Sequence, residues 1–238
     1  SLDMPSWTAN DCDRARLRRK IAHEERVACG LPPNGDKTVL TMLRIGQLLR
    51  HLAAGHAPDD AERQVLVQRS IAVLEQALAI GEKYFASGPA LELRDATKAE
   101  LALAYASGGL FAEALAVVDG VEYPKSAPLN RAIRLPHAHY LGAMGVSGKQ
   151  RTAALERALE ILRAANQYDI SFLNRERIPY FLLEAAAWRA LGHEPEAQAI
   201  ERWVASKATC SMLWPGDLRG FPDWIRGGTV TAANPATY

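Results

Sequence analysis

Cysteine is scarce in this sequence: its 238 residues include only Cys12, Cys29 and Cys210, with no CxxC pair. Three cysteines are too few for a disulfide scaffold, and they favour reduced thiols in a compartment such as the cytoplasm. On a continuous helix Cys12 and Cys29 would be about 25 Å apart, whereas a disulfide joins Cα atoms within about 7 Å. A bridge between them therefore requires a broken helix and an oxidising compartment, such as a periplasm reached after removal of a leader.

An excess of one charge and long apolar runs are also lacking. Lysine and arginine total 28 against 27 acidic residues, a formal net charge of +1, so no overall field attracts nucleic acid. No apolar run approaches the roughly 18 residues that span a bilayer, and the first residues lack the pattern of a signal peptide. We therefore expect neither a nucleic-acid partner nor a transmembrane span. Because residue 1 is Ser, either a leader has been removed or the chain has been shortened.

Positive charge is concentrated only near the N-terminus, between Asp13 and Arg26. The basic residues of this run are Arg14, Arg16, Arg18, Arg19, Lys20 and Arg26, and they outnumber Asp13, Glu24 and Glu25. Runs of this kind are ordinarily the solvated face of a helix. We interpret the run in that way.

Recognisable catalytic and metal-binding motifs are absent. The sequence has no HExxH, no GxSxG and no phosphate-binding glycine loop. His137 and His139 have the only histidine spacing that hints at a metal, but residues two apart on a helix point in different directions. We predict no catalytic residue, no metal ligand and no cofactor. An enzyme whose site combines residues distant in sequence stays open.

Segments with the two-residue alternation of β-strands are nearly absent, which predicts an all-α protein. Glycine and proline separate an N-terminal helix over 11–28 from a loop in which Asp36 is the expected N-cap of the next helix. Short connections force antiparallel neighbours, so four helical hairpins should follow. Their helices are expected at 37–54 and 60–84, 93–106 and 110–119, 130–144 and 150–165, and 177–191 and 195–206.

The second hairpin, Leu101 to Val121, carries the most informative pattern. It resembles the tetratricopeptide repeat (TPR), whose signature has Leu-Gly, Tyr, a turn Gly, Ala, Phe and Pro at set positions. The matching residues are Leu101, Ala102, Tyr105, Gly109, Ala114, Val118 and Pro124. The departures are Lys98 at the aromatic position, Ala102 for Gly and Val118 for Phe.

The other hairpins resemble the repeat less closely. The fourth matches at Phe181, Ala185, Trp188, Gly192 and Ala197, but has Glu184 and Glu201 at apolar positions. The first matches at Met42, Ile45, Gly46, Leu49, Ser70, Leu74 and Ala77, with about twelve extra residues between its helices. The third retains Leu155 and Ala158. Small residues such as Gly46 should let paired helices approach closely, while Leu74 fills the next layer.

The resemblance implies a right-handed superhelix of stacked antiparallel helix hairpins. The expected domains are residues 1–36, an N-terminal helix and loop; 37–207, the TPR-like repeats; and 208–238, an irregular aromatic C-terminal tail. In this family the first helix of each hairpin lines a concave groove that holds a peptide, helix or protein. The chain is therefore expected to be a non-catalytic protein-interaction scaffold or adaptor.

Polar residues on the first helices are the candidate partner-binding residues that the resemblance implies. They are Arg44, Gln47, Arg50, His51, Arg94, Lys98, Glu100, Arg131, Arg134, His137, Tyr140, Arg177, Tyr180 and Glu184, with Trp214 and Trp224 added from the tail. The many arginines suggest a partner with acidic side chains or a terminal carboxylate, because guanidinium groups bind carboxylates through two parallel hydrogen bonds. The Asn and Lys positions of the family's carboxylate clamp are not found, so a chaperone co-factor role is not supported.

Two other functions stay open. A specific inhibitor or regulator, for example of the immunity type, would mask one protein and use Trp214 and Trp224 as an anchor, because Trp is enriched in binding hot spots. The same tail could instead cap the end of the array. An enzyme with a dispersed site is the other class. The partner and the oligomeric state do not follow from the sequence.

Overall fold

The computed structural model describes residues 11–84, 89–122, 134–166 and 178–207, and every regular element in these ranges is an α-helix. The all-α prediction is confirmed. The helices are α1 (Asp11–Cys29), α2 (Asp36–Ala53), α3 (Ala61–Tyr84), α4 (Pro89–Ser107), α5 (Phe111–Val118), α6 (Arg134–Met144), α7 (Gly148–Asn166), α8 (Ile178–Ala190) and α9 (Glu194–Lys207). Most bounds lie within two residues of the predicted ones. In the described ranges, no helix is long and apolar enough to cross a membrane.

Helix α1 is continuous and includes both N-terminal cysteines. At 1.5 Å per residue, Cys12 and Cys29 are separated by about 25 Å along the helix axis. A disulfide between them is incompatible with this helix. Cys29 is a free, exposed thiol.

The N-terminus of α2 differs from the prediction. Gly35, with extended backbone angles (φ −102°, ψ 158°), is the N-cap, and no side chain caps the helix. Its carbonyl accepts hydrogen bonds from the Thr38 and Val39 amides at 3.1 and 3.2 Å. The prediction that Asp36 is the N-cap is therefore wrong, because Asp36 already lies in the first helical turn and its carboxylate accepts from the Lys37 amide at 2.7 Å.

Contacts divide the described residues into two compact units, one that ends at Glu122 and one that follows it. In the first unit each of α1 to α4 packs on the next helix, and α2 also packs on α4. In the second unit α6, α7, α8 and α9 pack in the same sequential order. This pattern is that of stacked helical hairpins. The domain limits expected at residues 36 and 207 stay predictions.

Gly46 allows the close approach of α2 and α3, as the sequence predicted. A Cβ atom at this position would lie 2.6 Å from Cδ2 and 2.9 Å from Cδ1 of Leu74, which is too close for any side chain. The Ser70 hydroxyl donates a buried 2.7 Å hydrogen bond to the Gly46 carbonyl. Leu74 then packs with Leu43 and Leu101, which joins α3 to α2 and α4.

The same turn ends α4 and α8. Gly109 (φ +79°) and Gly192 (φ +88°) adopt the left-handed conformation that glycine tolerates without strain. Each helix ends with a backbone hydrogen bond between residues five apart in sequence. The Leu110 amide donates to the Tyr105 carbonyl at 2.9 Å, and the His193 amide donates to the Trp188 carbonyl at 3.0 Å. Tyr105 and Trp188 are therefore equivalent residues of two hairpins, which agrees with the alignment to the repeat.

The hairpin of α8 and α9 combines an apolar core with an ionic cluster. The rings of Phe181 and Trp203 pack with centroids 4.7 Å apart. Arg189 donates hydrogen bonds to Glu201 at 2.6 Å and to Glu194 at 2.9 Å. The repeat has an apolar residue at the position of Glu201. The carboxylate of Glu201 is accommodated there because Arg189 compensates its charge. The bond from Arg189 also lowers the pKa of Glu194.

Candidate functional site

Helix α1 contacts α2 through a narrow apolar stripe. Ile21 is buried in a cluster with Ile45 and Leu49 of α2, and Leu17 and Leu48 are partly buried against it. The spacing of Leu17 and Ile21 places both on one face of α1. Most of the other α1 side chains are charged or exposed, so the helix has further flanks for different contacts.

Two ion pairs fix the flank of α1 that faces α3. Arg18 Nη2 lies 2.6 Å from Glu62 Oε1, and Arg69 Nη2 lies 2.8 Å from Glu25 Oε1. Both pairs join residues 44 positions apart in sequence, so α1 and α3 run in the same direction. Exposed pairs of this kind stabilise a fold by about 0.2–1 kcal/mol each, so their main information is geometric.

The opposite flank of α1 carries a second set of cations. With 3.6 residues per turn, Arg16, Arg19 and Lys20 lie on the side of the helix away from Arg18 and Glu25. Together with residues of α2 this flank forms an open cleft of about 490 Å³. We call it the cationic cleft; it is lined by Arg16, Arg19, Lys20, His23 and Glu24 of α1 and by Arg44, Gln47 and Leu48 of α2.

The charges of the cationic cleft are not compensated within the described structure. Arg16, Arg19, Lys20 and Arg44 are exposed, and none of them has an ion pair or side-chain hydrogen bond to a described residue. Glu24 is the one carboxylate that lines the cleft. Like charges that converge on a concave surface raise the local positive potential and attract anionic groups. Guanidinium groups in particular bind carboxylates through two parallel hydrogen bonds.

Comparisons with known proteins identify the fold. No protein-family model matches the chain, and no curated protein matches it. It is similar to a crystal structure of nearly identical TPR-like repeats from a protein of Podosopora anserina assigned as a kinesin light chain, with a TM-score of 0.52 and 20% identity, over 80% of this chain and 86% of that chain. The fold is tetratricopeptide-like. At this identity the similarity establishes the fold and carries no information on the partner.

In the first unit, the TPR-like hairpins are α2 with α3 and α4 with α5. Of the predicted partner-binding residues here, Arg44 lines the cationic cleft. Arg50 is buried instead, with its Nε 2.6 Å from Glu100 Oε1. Arg94 pairs with the neighbouring Asp95, and Lys98 pairs with Glu82 of α3. The buried and paired side chains serve contacts within the fold first, and their contact with a partner stays a prediction.

In the second unit, the TPR-like hairpins are α6 with α7 and α8 with α9. Arg134 and His137 are partly buried, whereas Tyr140 and Tyr180 are 4% and 1% exposed. Burial raises the pKa of Tyr140 to about 12. Both tyrosines lie in the core, so a partner would reach them only after a rearrangement of the helices. Arg131, Arg177, Trp214 and Trp224 lie outside the described residues.

The sequence interpretation missed the contribution of α1. The basic run is exposed, as predicted, but one flank of it forms a cleft with α2. A signal was present in the spacing: Arg16, Arg19, Lys20 and His23 follow the three- and four-residue steps of a single helical stripe. No set of three or more metal-binding side chains converges in the part of the chain that the structure describes. The chemistry available at the cleft is the binding of anionic groups.

Proposed function

We propose that this chain is a non-catalytic protein-interaction scaffold that binds an acidic segment of a partner protein in the cationic cleft. The TPR-like fold supports an interaction role in general, because stacked hairpins present extended surfaces to other proteins. The observation that carries the proposal is the convergence of Arg16, Arg19, Lys20 and Arg44 on one cleft without a compensating carboxylate for each.

The expected binding is mainly electrostatic. An exposed ion pair contributes about 0.2–1 kcal/mol, so several carboxylates must act together to give measurable affinity. Such pairs also accelerate association and select the partner by charge. Leu48, partly buried at the cleft, offers an apolar contact beneath the charges. The preferred ligand is thus an acidic segment that also carries apolar side chains.

A labelled peptide rich in Glu and Leu provides the test, with a second peptide that has Gln in place of every Glu. Wild-type protein should bind the Glu peptide and not the Gln peptide. The variant Arg16→Glu/Arg44→Glu should weaken binding by about tenfold or more, since attraction becomes repulsion. Circular dichroism should show an unchanged helix content, because both side chains are exposed.

A matched control separates the cleft from the net charge. Lys149 and Arg163 are exposed cations of α7 without an ion pair to a described residue. The variant Lys149→Glu/Arg163→Glu changes the net charge by the same amount and should bind within about twofold of wild type. Equal weakening by the two variants, or no preference for the Glu peptide, would contradict the proposal.

A further inference from the structure

Helix α4 shows how the first helix of a hairpin is covered by the hairpin before it. It packs on both α2 and α3. Arg50 of α2 pairs with Glu100 on α4. Leu43 of α2 and Leu74 of α3 pack in one cluster with Leu101 and Ala104 of α4. The positions of Glu100 and Ala104 therefore face the preceding first helix, α2.

The equivalent positions on α2 lie in the cationic cleft. The alignment to the repeat places Gly46 of α2 at the position of Ala102 of α4. The same alignment places Arg44 at the position of Glu100, and Leu48 at that of Ala104. On α4 these positions are buried by α2, with Glu100 and Ala104 both fully covered. On α2, Arg44 is exposed and Leu48 is only partly buried, so no described helix covers this flank.

Helix α1 has a corresponding uncovered flank. Helix α3 runs parallel to α1, and its flank in contact with α2 contains Leu66, Ser70 and Ala77. This flank lies beside the one from which Glu75 and Glu82 reach Tyr105 and Lys98 of α4. On α1, the flank beside the stripe in contact with α2 carries Arg16 and Lys20 instead, with Arg19 and His23. Helices α3 and α4 together form the surface on which α2 packs. Helices α1 and α2 form the equivalent surface one step earlier in the array, but the side chains that line it are cationic.

We infer that the segment bound in the cationic cleft is an acidic amphipathic helix of the partner, which occupies against α1 and α2 the position that α2 occupies against α3 and α4. This inference rests on the proposed function. The bound helix runs parallel to α2 and antiparallel to α1. It presents a carboxylate to Arg44, as Arg50 and Glu100 meet with reversed charges one hairpin later. Its other carboxylates face Arg16, Arg19 and Lys20.

The size of the cleft sets the length of the helix. The α1 stripe from Arg16 to His23 spans about 10 Å along the axis, so a helix of roughly three turns reaches all its cations. Leu48 requires an apolar side chain of the bound helix beside the carboxylate that faces Arg44. These features define a probe: a peptide of about 18 residues with Glu and Leu at three- and four-residue spacing, which spans about 27 Å as a helix.

Two versions of this probe test the inference on the full chain. The first version has Ala at the positions between the Glu and Leu residues. In the second version two central Ala residues are replaced by Pro, which breaks the helix and retains every charge. Wild-type protein should bind the helical peptide about tenfold or more tightly than the Pro peptide, and circular dichroism should show a gain of helix on binding. Arg44→Glu should weaken binding of the helical peptide, and a peptide with one central Glu replaced by Arg should restore it.

The outcomes separate this inference from the proposed function. If neither peptide binds to wild type, both the proposed function and the inference fail. If both bind equally and no helix is gained, the acidic ligand is extended and only the inference is overturned. If the protein without peptide forms a dimer that Arg44→Glu disperses, a second copy is the occupant and the inference is also overturned. Selective binding of the helical peptide, with charge-swap rescue at Arg44, supports it.

Discussion

Arg50 of α2 and Glu100 of α4 form a buried ion pair, with Nε and Oε1 2.6 Å apart and side chains 9% and 0% exposed. The pair joins the first helices of two successive hairpins. Because a buried charge must be compensated, packing that brings these two groups together is favoured over packing that separates them. The pair therefore contributes to the register in which the second hairpin packs on the first.

Removal of one partner of this pair should be strongly destabilising. Glu100→Ala leaves the guanidinium of Arg50 buried without its carboxylate, and we expect a loss of about 3–5 kcal/mol in the free energy of unfolding. The double variant Arg50→Met/Glu100→Leu should lose less, because no charge is left buried. Urea unfolding of the three proteins measures both values. A double variant less stable than Glu100→Ala would contradict this explanation.

Gly46→Ala should destabilise the contact between α2 and α3. The added Cβ would overlap the side chain of Leu74, and overpacking of a core costs about 1–3 kcal/mol. Alanine also gains about 1 kcal/mol in helix propensity, so the net loss in the free energy of unfolding is smaller than the steric cost. Leu74→Ala, which removes the overlapping atoms, should therefore cost less stability in the Gly46→Ala background than in wild type. Strict additivity of the two changes would show that they do not interact.

The stability of the first unit should depend on the ionisation of Asp60. A hydrogen bond from His56, followed by one from the Glu62 amide, lowers the pKa of Asp60 below its ordinary value of 3.8. The stability that ionised Asp60 contributes is therefore fully present above pH 3.8, and it is lost as the pH falls through the lowered pKa of the folded state. Asp60→Asn retains the capping of α3 and removes the charge.

Thermal unfolding at two pH values checks this prediction. The melting temperature of Asp60→Asn should lie below that of wild type at about pH 7, and the difference should shrink as the pH falls through the lowered pKa of Asp60, where the carboxyl of wild type becomes protonated. A difference that does not change with pH would assign the effect of Asp60 to its shape rather than its charge.

Binding of the acidic peptide should weaken as salt is added. Between 0.1 M and 1 M salt the Debye length falls from about 10 Å to about 3 Å, and the cleft cations are exposed to the solvent. Wild type should show a steep decrease in affinity over this range, and Arg16→Glu/Arg44→Glu a shallow one. Equal salt dependence of the two proteins would place the electrostatic contact elsewhere.

Contacts within a hairpin could be predicted from the sequence. The sequence predicts that Gly46 lets paired helices approach closely and that Leu74 fills the next layer, because small residues at helical spacing permit close packing. The sequence also places Gly109 in the turn of the second hairpin, where its left-handed backbone (φ +79°) is one that glycine adopts without strain. These predictions depend only on the spacing and size of residues that are near one another in sequence.

Contacts between hairpins could not be predicted in the same way. A polar residue on a first helix can face solvent or a neighbouring hairpin, and Arg50 is buried because Glu100 of the next hairpin lies opposite, 50 residues later. The cationic cleft likewise depends on the packing of α1 against α2, which brings Arg16 beside Arg44. Local periodicity identifies the polar flank of a helix but not the helix that covers it.

Amide chemical-shift changes during a titration with the acidic helical peptide test most directly whether the cationic cleft is the binding site. The changes should be largest in α1 from Arg16 to His23 and in α2 from Arg44 to Leu48, and small in α7 and α9. Arg16→Glu/Arg44→Glu should abolish them at the same peptide concentration. Changes centred on α7 to α9, or none at a peptide concentration that saturates binding, would contradict the assignment of the cationic cleft as the binding site.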